Sequence, residues 1–354
     1  MKRVVEKFSL VSIIFVLISC SSSTVIKNEN DLIIYPAPPE PTKIQYLTSF
    51  STSSDVTGEE SGLVEYVAGE TQRADIIKPY GIAIYKGKLY VCDTILGGLE
   101  ILDFVDKSFQ YFQPKGFGQF KKPINCFKDN IGRLFVADAE RAQIVVFDSL
   151  DNYLTAFGED VLKKPTDVFV TDSLIYVSDL KGRDIEVFSH SDYSWVKSLP
   201  DENLGEKERV FQPTNIYVKQ GRLYVSDFGD FRIKIYSTEG EFIDSVGSYG
   251  TGLGQFVRPK GIAVDDSLNL FVVDAGFENV QIFDKDGNLL MFFGGPYVKP
   301  GDMWLPAKVI IDYDNLKYFQ KYVYEGFDLK YLIFVTNQYG PEKINVYGFV
   351  DEKK

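Results

Sequence analysis

A single histidine, His190, stands in 354 residues, and there are three cysteines, three methionines and two tryptophans. One imidazole cannot build a multi-histidine metal centre. It serves a Ser-His-Asp triad only if it lies inside the site. His190 falls in the hydrophilic turn SHSDYS, which is expected on the outer edge of the fold and away from any catalytic centre. Positive charge is also in deficit: 38 Lys and Arg against 50 Asp and Glu give a net charge of −12. Phosphate backbones are bound through basic patches that displace counterions, so nucleic acid is not an expected partner. Helix-favouring Ala and Met are scarce, whereas Tyr and Phe number 22 and 28, a balance that leans to β-structure.

What is present begins with an address. MKRVVEK is a basic start, and FSLVSIIFVLI is an apolar run too short for a stable transmembrane helix. Leu17-Ile18-Ser19-Cys20 follows, and it resembles the bacterial lipobox, in which a signal is cut before a cysteine that carries lipid. The resemblance implies a signal peptide over 1–19 and lipidation at Cys20, with the membrane as a partner through the N-terminal lipid. With Ser21 after Cys20 instead of Asp, it implies the outer membrane of a bacterial cell envelope. An ordinary secretory signal with an incidental cysteine is the alternative. Residues 20–42 contain Pro36, Pro38, Pro39 and Pro41 and read as an extended tether, up to about 70 Å long when stretched.

Beyond residue 43 the chain repeats. Pro79, Pro123, Pro165, Pro213, Pro259 and Pro306 stand 44, 42, 48, 46 and 47 residues apart. Asp93, Asp138, Asp179, Asp227 and Asp274 close the second strand of five copies, and Asn337 takes the sixth place. Within each copy, short runs of alternating apolar residues are separated by Gly, Asn and Asp turns, as in QFVRPKGIAVDDSLNLFVVDAGFENVQIFDKDGNLLMFFG. Such runs are half-buried antiparallel strands, and four of them per repeat at this period predict a six-bladed β-propeller. The VxD endings, the linker GTGLGQFVRPKG and its echo KGFGQFKKP resemble the NHL repeat family of six-bladed propellers. That resemblance covers most of residues 43–350 and implies a fold, all-β with four-stranded antiparallel blades, more than a function. The last copy lacks a fourth strand. Tyr46-Leu47-Thr48-Ser49-Phe50 matches the fourth strand of the second copy, so the N-terminal strand is expected to close the last blade.

Two stretches break the pattern. Residues 312–330 form an aromatic insertion in which Leu316, Phe319, Val323 and Phe327 suit one face of a helix. Residues 52–76 form a polar connector with an apolar knot at Leu63, Tyr66 and Val67.

Three constellations carry candidate chemistry. The repeated acids form a ring that either binds cations or accepts turn N–H groups, and recurrence in nearly every blade favours the structural role. The loops after them place Glu140, Arg141, Arg183, Phe231, Arg232, Phe277 and Tyr339 on one face, where mixed charge and aromatics suit a protein or glycan partner, or an ordinary solvated rim. Asn125, Asp167 and Asn215 occupy matching places on successive first strands. They are the candidate metal ligands of a second reading, a calcium-dependent lactonase-like hydrolase using the central channel. No cofactor is needed by the first reading, an extracytoplasmic binding scaffold. Cys92 and Cys126 fill interior slots and are expected as buried free thiols, with an inter-blade disulfide the alternative.

Overall fold

The computed structural model describes residues 32–58, 74–200 and 203–353. The fifth repeat shows how each unit forms. Pro259–Val264, Leu270–Asp274, Asn279–Phe283 and Leu289–Gly294 pair antiparallel in chain order. Proline opens the first strand, where a missing ladder donor is tolerated, and it faces Asp274 across the pair. The turns are set by side chains. Asp265 accepts from the backbone N–H groups of Ser267 and Asn269, and Asp284 does the same for Asp286 and Asn288. Each carboxylate thus mimics a turn and fixes the register of the strands it joins.

In blade five the inner strands are largely buried, while the fourth, Leu289–Gly294, alternates between cover and exposure. A sheet with apolar residues on both faces must be covered on both sides. Neighbouring copies provide that cover, and the first strands contact one another in sequence around a ring, with the sixth touching the first. The fold is a six-bladed β-propeller.

Ile44–Phe50 is the outer strand of blade six, running antiparallel to Ile344–Glu352 with Ile44 opposite Phe349 and Phe50 opposite Ile344. The N-terminal strand therefore closes the ring as the sequence predicts. Tyr347, fully buried, sits 4.8 Å from the Phe293 ring and 5.7 Å from Tyr46, tying blade five to the closing strand. Burying a side chain of that size contributes about 2–3 kcal/mol.

Two boundaries differ from expectation. The stretch 20–42 does not act as tether to its end, because Ile34–Tyr35 adds a fifth strand beside Ile44–Phe50. Ile33 and Tyr35 are apolar and pack against the core between blades five and six, which is reason enough to leave solvent. Within 312–330 there is no single helix but two 3-10 turns, Leu316–Tyr318 and Gln320–Tyr322. Gln45 bonds the Tyr322 carbonyl and the Tyr324 N–H, groups that a continued helix would need for itself. The segment still covers the underside. Phe319 is buried against Phe50, Phe104 and Phe334. Cys20, the 1–19 segment and the knot at Leu63, Tyr66 and Val67 lie outside the described residues.

Candidate functional site

The acids that end the second strands are buried, and each is spent on the backbone. Asp138 accepts from the N–H groups of Lys121 and Lys122 before the proline and of Glu140 and Arg141 in the following loop. Asp93, Asp179 and Asp274 repeat the arrangement with four N–H donors each. Asp227 has three such donors and an ion pair with Lys234 at 3.2 Å. The carboxylate staples the incoming linker to the outgoing loop, so the ring of acids fixes the top face and leaves no ligand set open.

On that rigid base the predicted rim residues take unequal roles. Arg141 is held down by the carbonyls of Phe117 and Gln119, both at 2.9 Å. Glu140 pairs with Lys122 at 3.5 Å in the open. Arg232 lies 3.6 Å from Asp230 and 3.4 Å from the Ser245 hydroxyl. Arg183 is exposed and, with Lys164, Lys181 and Gln212, lines a shallow pocket between blades three and four. Phe231 packs at a tilt against Tyr249, ring centres 4.8 Å apart, and against Phe228 at 5.9 Å. Phe277 is half-buried, and Tyr339 is exposed with its hydroxyl bonded to Lys78 at 2.9 Å.

The blade-to-blade linkers contribute what the loop reading missed. Phe117 is 84% exposed, Leu253 78%, Tyr249 67% and Trp304 49%, all on the same face as Tyr339. Tyr297 stacks with Trp304 at 6.4 Å. The signal was in GFGQF and GSYGTGLGQF, where an aromatic stands among glycines that turn the chain.

The channel is closed across its middle. Asp167 in blade three meets Lys308 of blade six, directly opposite in the ring, at 2.5 Å. The same carboxylate oxygen accepts from Asn215 Nδ2 at 3.2 Å and the Ile216 N–H at 3.0 Å, while the other takes the Val168 N–H. Asn125 donates to the Thr166 carbonyl at 3.1 Å. Asn125, Asp167 and Asn215 therefore lie on neighbouring inner strands, yet they do not fit calcium, which takes six to eight oxygen ligands. Their one carboxylate is already engaged by an ammonium that stands where a cation would. Among the described residues, no group of three His, Cys, Asp or Glu gathers at metal-binding range. Below this bolt the channel is mostly apolar, lined by Ile82, Val168, Ile216 and Ile262 with Phe127, Phe169 and Tyr217 packed at tilted angles.

His190 lies on the underside between blades two and three, bonded to Arg133 and the Asp172 carbonyl and 3.4 Å from Asp129. It latches two blades. Cys92 and Cys126 are buried and free. Burial above all, then Cys126, pushes the Cys92 thiol well up.

No family model matches the chain. Two NHL-repeat proteins match locally: the protein brain tumor of Drosophila melanogaster, 32% identical over 65 residues, and lin-41 of Caenorhabditis elegans, 48% identical over 44. The matched parts are 18% and 12% of this chain and only 6% and 4% of those relatives. A protein of unknown function from Bacteroides thetaiotaomicron superposes with a TM-score of 0.59 at 16% identity, over 87% of this chain and 76% of the other. A streptogramin B lyase gives 0.53 at 14% identity, over 76% and 82%. At these identities the likeness is one of fold.

Proposed function

We propose that the chain is a lipid-anchored interaction scaffold of the bacterial envelope, binding a protein partner through the top face of its propeller. The observation that carries the reading is the set of exposed aromatics, Phe117, Tyr249, Trp304 and Tyr339, on linkers and loops fastened by the buried Asp ring and, in blade six, by Asn337. Aromatic side chains on a pre-ordered surface lose little entropy on binding and dominate interface energetics. The lipobox-like Leu17-Ile18-Ser19-Cys20 supports the anchor, since several acyl chains on one residue hold a protein at a bilayer where one does not. A glycan fits the same aromatics and is the alternative occupant of the same face.

The test joins anchor and face. In a Gram-negative host fed radiolabelled palmitate, the full-length chain is expected to take up label and Cys20→Ala to lose it. Cross-linking in envelope preparations should yield a discrete adduct that Tyr249→Ala with Trp304→Ala removes, while Trp195→Ala on the outer strand of blade three leaves it. An adduct indifferent to Tyr249 and Trp304 would move the interface elsewhere.

A further inference from the structure

On the top-face side of the Asp167–Lys308 bolt, the inner strands hold a half-buried cation that no acid answers. Lys260 follows the opening proline of blade five, and its ammonium lies 5.0 Å from the centre of the Tyr80 ring in blade one. Blade six stands between them in the ring and carries only Ala307 at the matching position.

The three buried lysines among the described residues are all paired with acids. Lys128 has Asp151 at 3.2 Å, Lys234 has Asp227 and Asp230, and Lys308 has Asp167. Among the described residues Lys260 has no carboxylate partner. The charges that reach it are of its own sign, from Arg258 and Lys78, and together with burial, the largest cause, they bring its ammonium down to about 8. This local excess runs against a chain whose net charge is −12. A partly desolvated cation without a counter-charge is costly, and proteins retain one where a ligand supplies the missing charge. Tyr80 adds a donor: burial, then Asp167, pushes its hydroxyl up, so it stays protonated.

We propose that the upper end of the axial channel is a carboxylate-binding site, in which Lys260, lying over the Tyr80 ring, takes one carboxylate from a free small acid or from an acidic side chain. A singly charged group matches the one unanswered charge. A phosphate dianion would add a second negative charge above Asp167. The site is independent of the rim aromatics and stands even if they bind nothing.

Calorimetry on the full-length chain, at low ionic strength and pH 7, tests this with two singly charged probes: acetate and the blocked peptide N-acetyl-Gly-Glu-Gly-amide. At least one is expected to bind, with affinity about tenfold lower in Lys260→Met and within about threefold of natural in Lys260→Arg. Affinity should also fall between pH 7 and 9 as Lys260 loses its proton. Binding of acetate alone identifies a free acid, and binding of the peptide identifies a side chain. Lys260→Met removes an unanswered charge and is expected to melt no lower than the natural chain, which separates lost binding from lost fold. Silence with both probes, equal affinity in Lys260→Met, or tighter binding of inorganic phosphate or an RNA oligonucleotide would overturn the proposal.

Discussion

Blades one and four place an ionisable side chain at the same point of the third strand and treat it in opposite ways. Lys234 follows Asp227 by the same spacing at which Glu100 follows Asp93. Lys234, fully buried, pairs with Asp227 at 3.2 Å and Asp230 at 3.0 Å, donates to the Arg209 carbonyl and lies 4.7 Å over the Phe211 ring. The slot has a purpose, because other blades use it too. Gln281 grips Gly254 and Gln255, and Asn345 grips the Asp302 carbonyl, each holding the linker that arrives from the preceding blade. Glu186 turns instead to Trp195 and Ser198 on its own outer strand. Glu100 is equally buried, and neither of its carboxyl oxygens has a hydrogen-bond partner. Burial first, then Asp93, raises it to about 9. A repeat thus tolerates one poorly answered side chain, since the rest of the blade fixes the backbone, but protonation is what keeps that side chain inside.

Breaking the well-answered slot should produce the largest effect. Lys234→Met strands Asp227 without its counter-ion and the Arg209 carbonyl without its donor. Removing one member of a buried pair costs about 3–5 kcal/mol, read as a lower urea midpoint at unchanged slope. Asp227→Asn in the Lys234→Met background is then expected to cost less than it does alone, because the stranded charge is already gone.

Mending the poorly answered slot should act in the other direction. Glu100 is protonated when folded at neutral pH and ionised when unfolded, so the folded state binds the extra proton and stability falls as pH rises from about 4.5 toward 9. At pH 7 the penalty relative to a group that does not titrate is about 3 kcal/mol. Glu100→Gln is expected to melt higher than the natural chain, by a margin absent near pH 4, growing through neutrality and level above pH 9. A margin independent of pH would show that Glu100 is ionised in the folded state.

The contrast also marks what the sequence could reveal. Prolines and acids spaced by one repeat made the blades legible, and Tyr46–Phe50 announced the closing strand because it copied an outer strand elsewhere. The column Gly81, Asn125, Asp167, Asn215, Gly261, Lys308 was equally visible as a column. Its meaning was not, because Asp167 and Lys308 meet only when the ring closes and puts blades three and six face to face. The same holds for Gln45, which stops the helix expected near Tyr322 from across the closure. Local patterns report strands and turns. Partners more than a hundred residues apart are set by how the circle shuts.

The two cysteines should give the smallest change, and they return to blade one, where Glu100 adds to the field on Cys92. Cys126 occupies a slot that other blades fill with Ile82, Val168, Ile216, Ile262 and Val309, and Cys92 one filled by Ala137, Ser178 and Ser226 among others. Cys126 donates weakly to the Tyr90 carbonyl at 3.6 Å and otherwise packs as a small apolar side chain. Cys92→Ala with Cys126→Val is therefore expected to shift stability by about 1 kcal/mol, as volume-near swaps do. In the natural chain both thiols should resist iodoacetamide at pH 8 until urea unfolds the propeller, because burial dominates the rise at Cys92. Glu100→Gln should leave that protection intact. A thiol that became reactive in this variant would mean that Glu100 also holds blade one closed, and the slot in blade one would then resemble that of Lys234 after all.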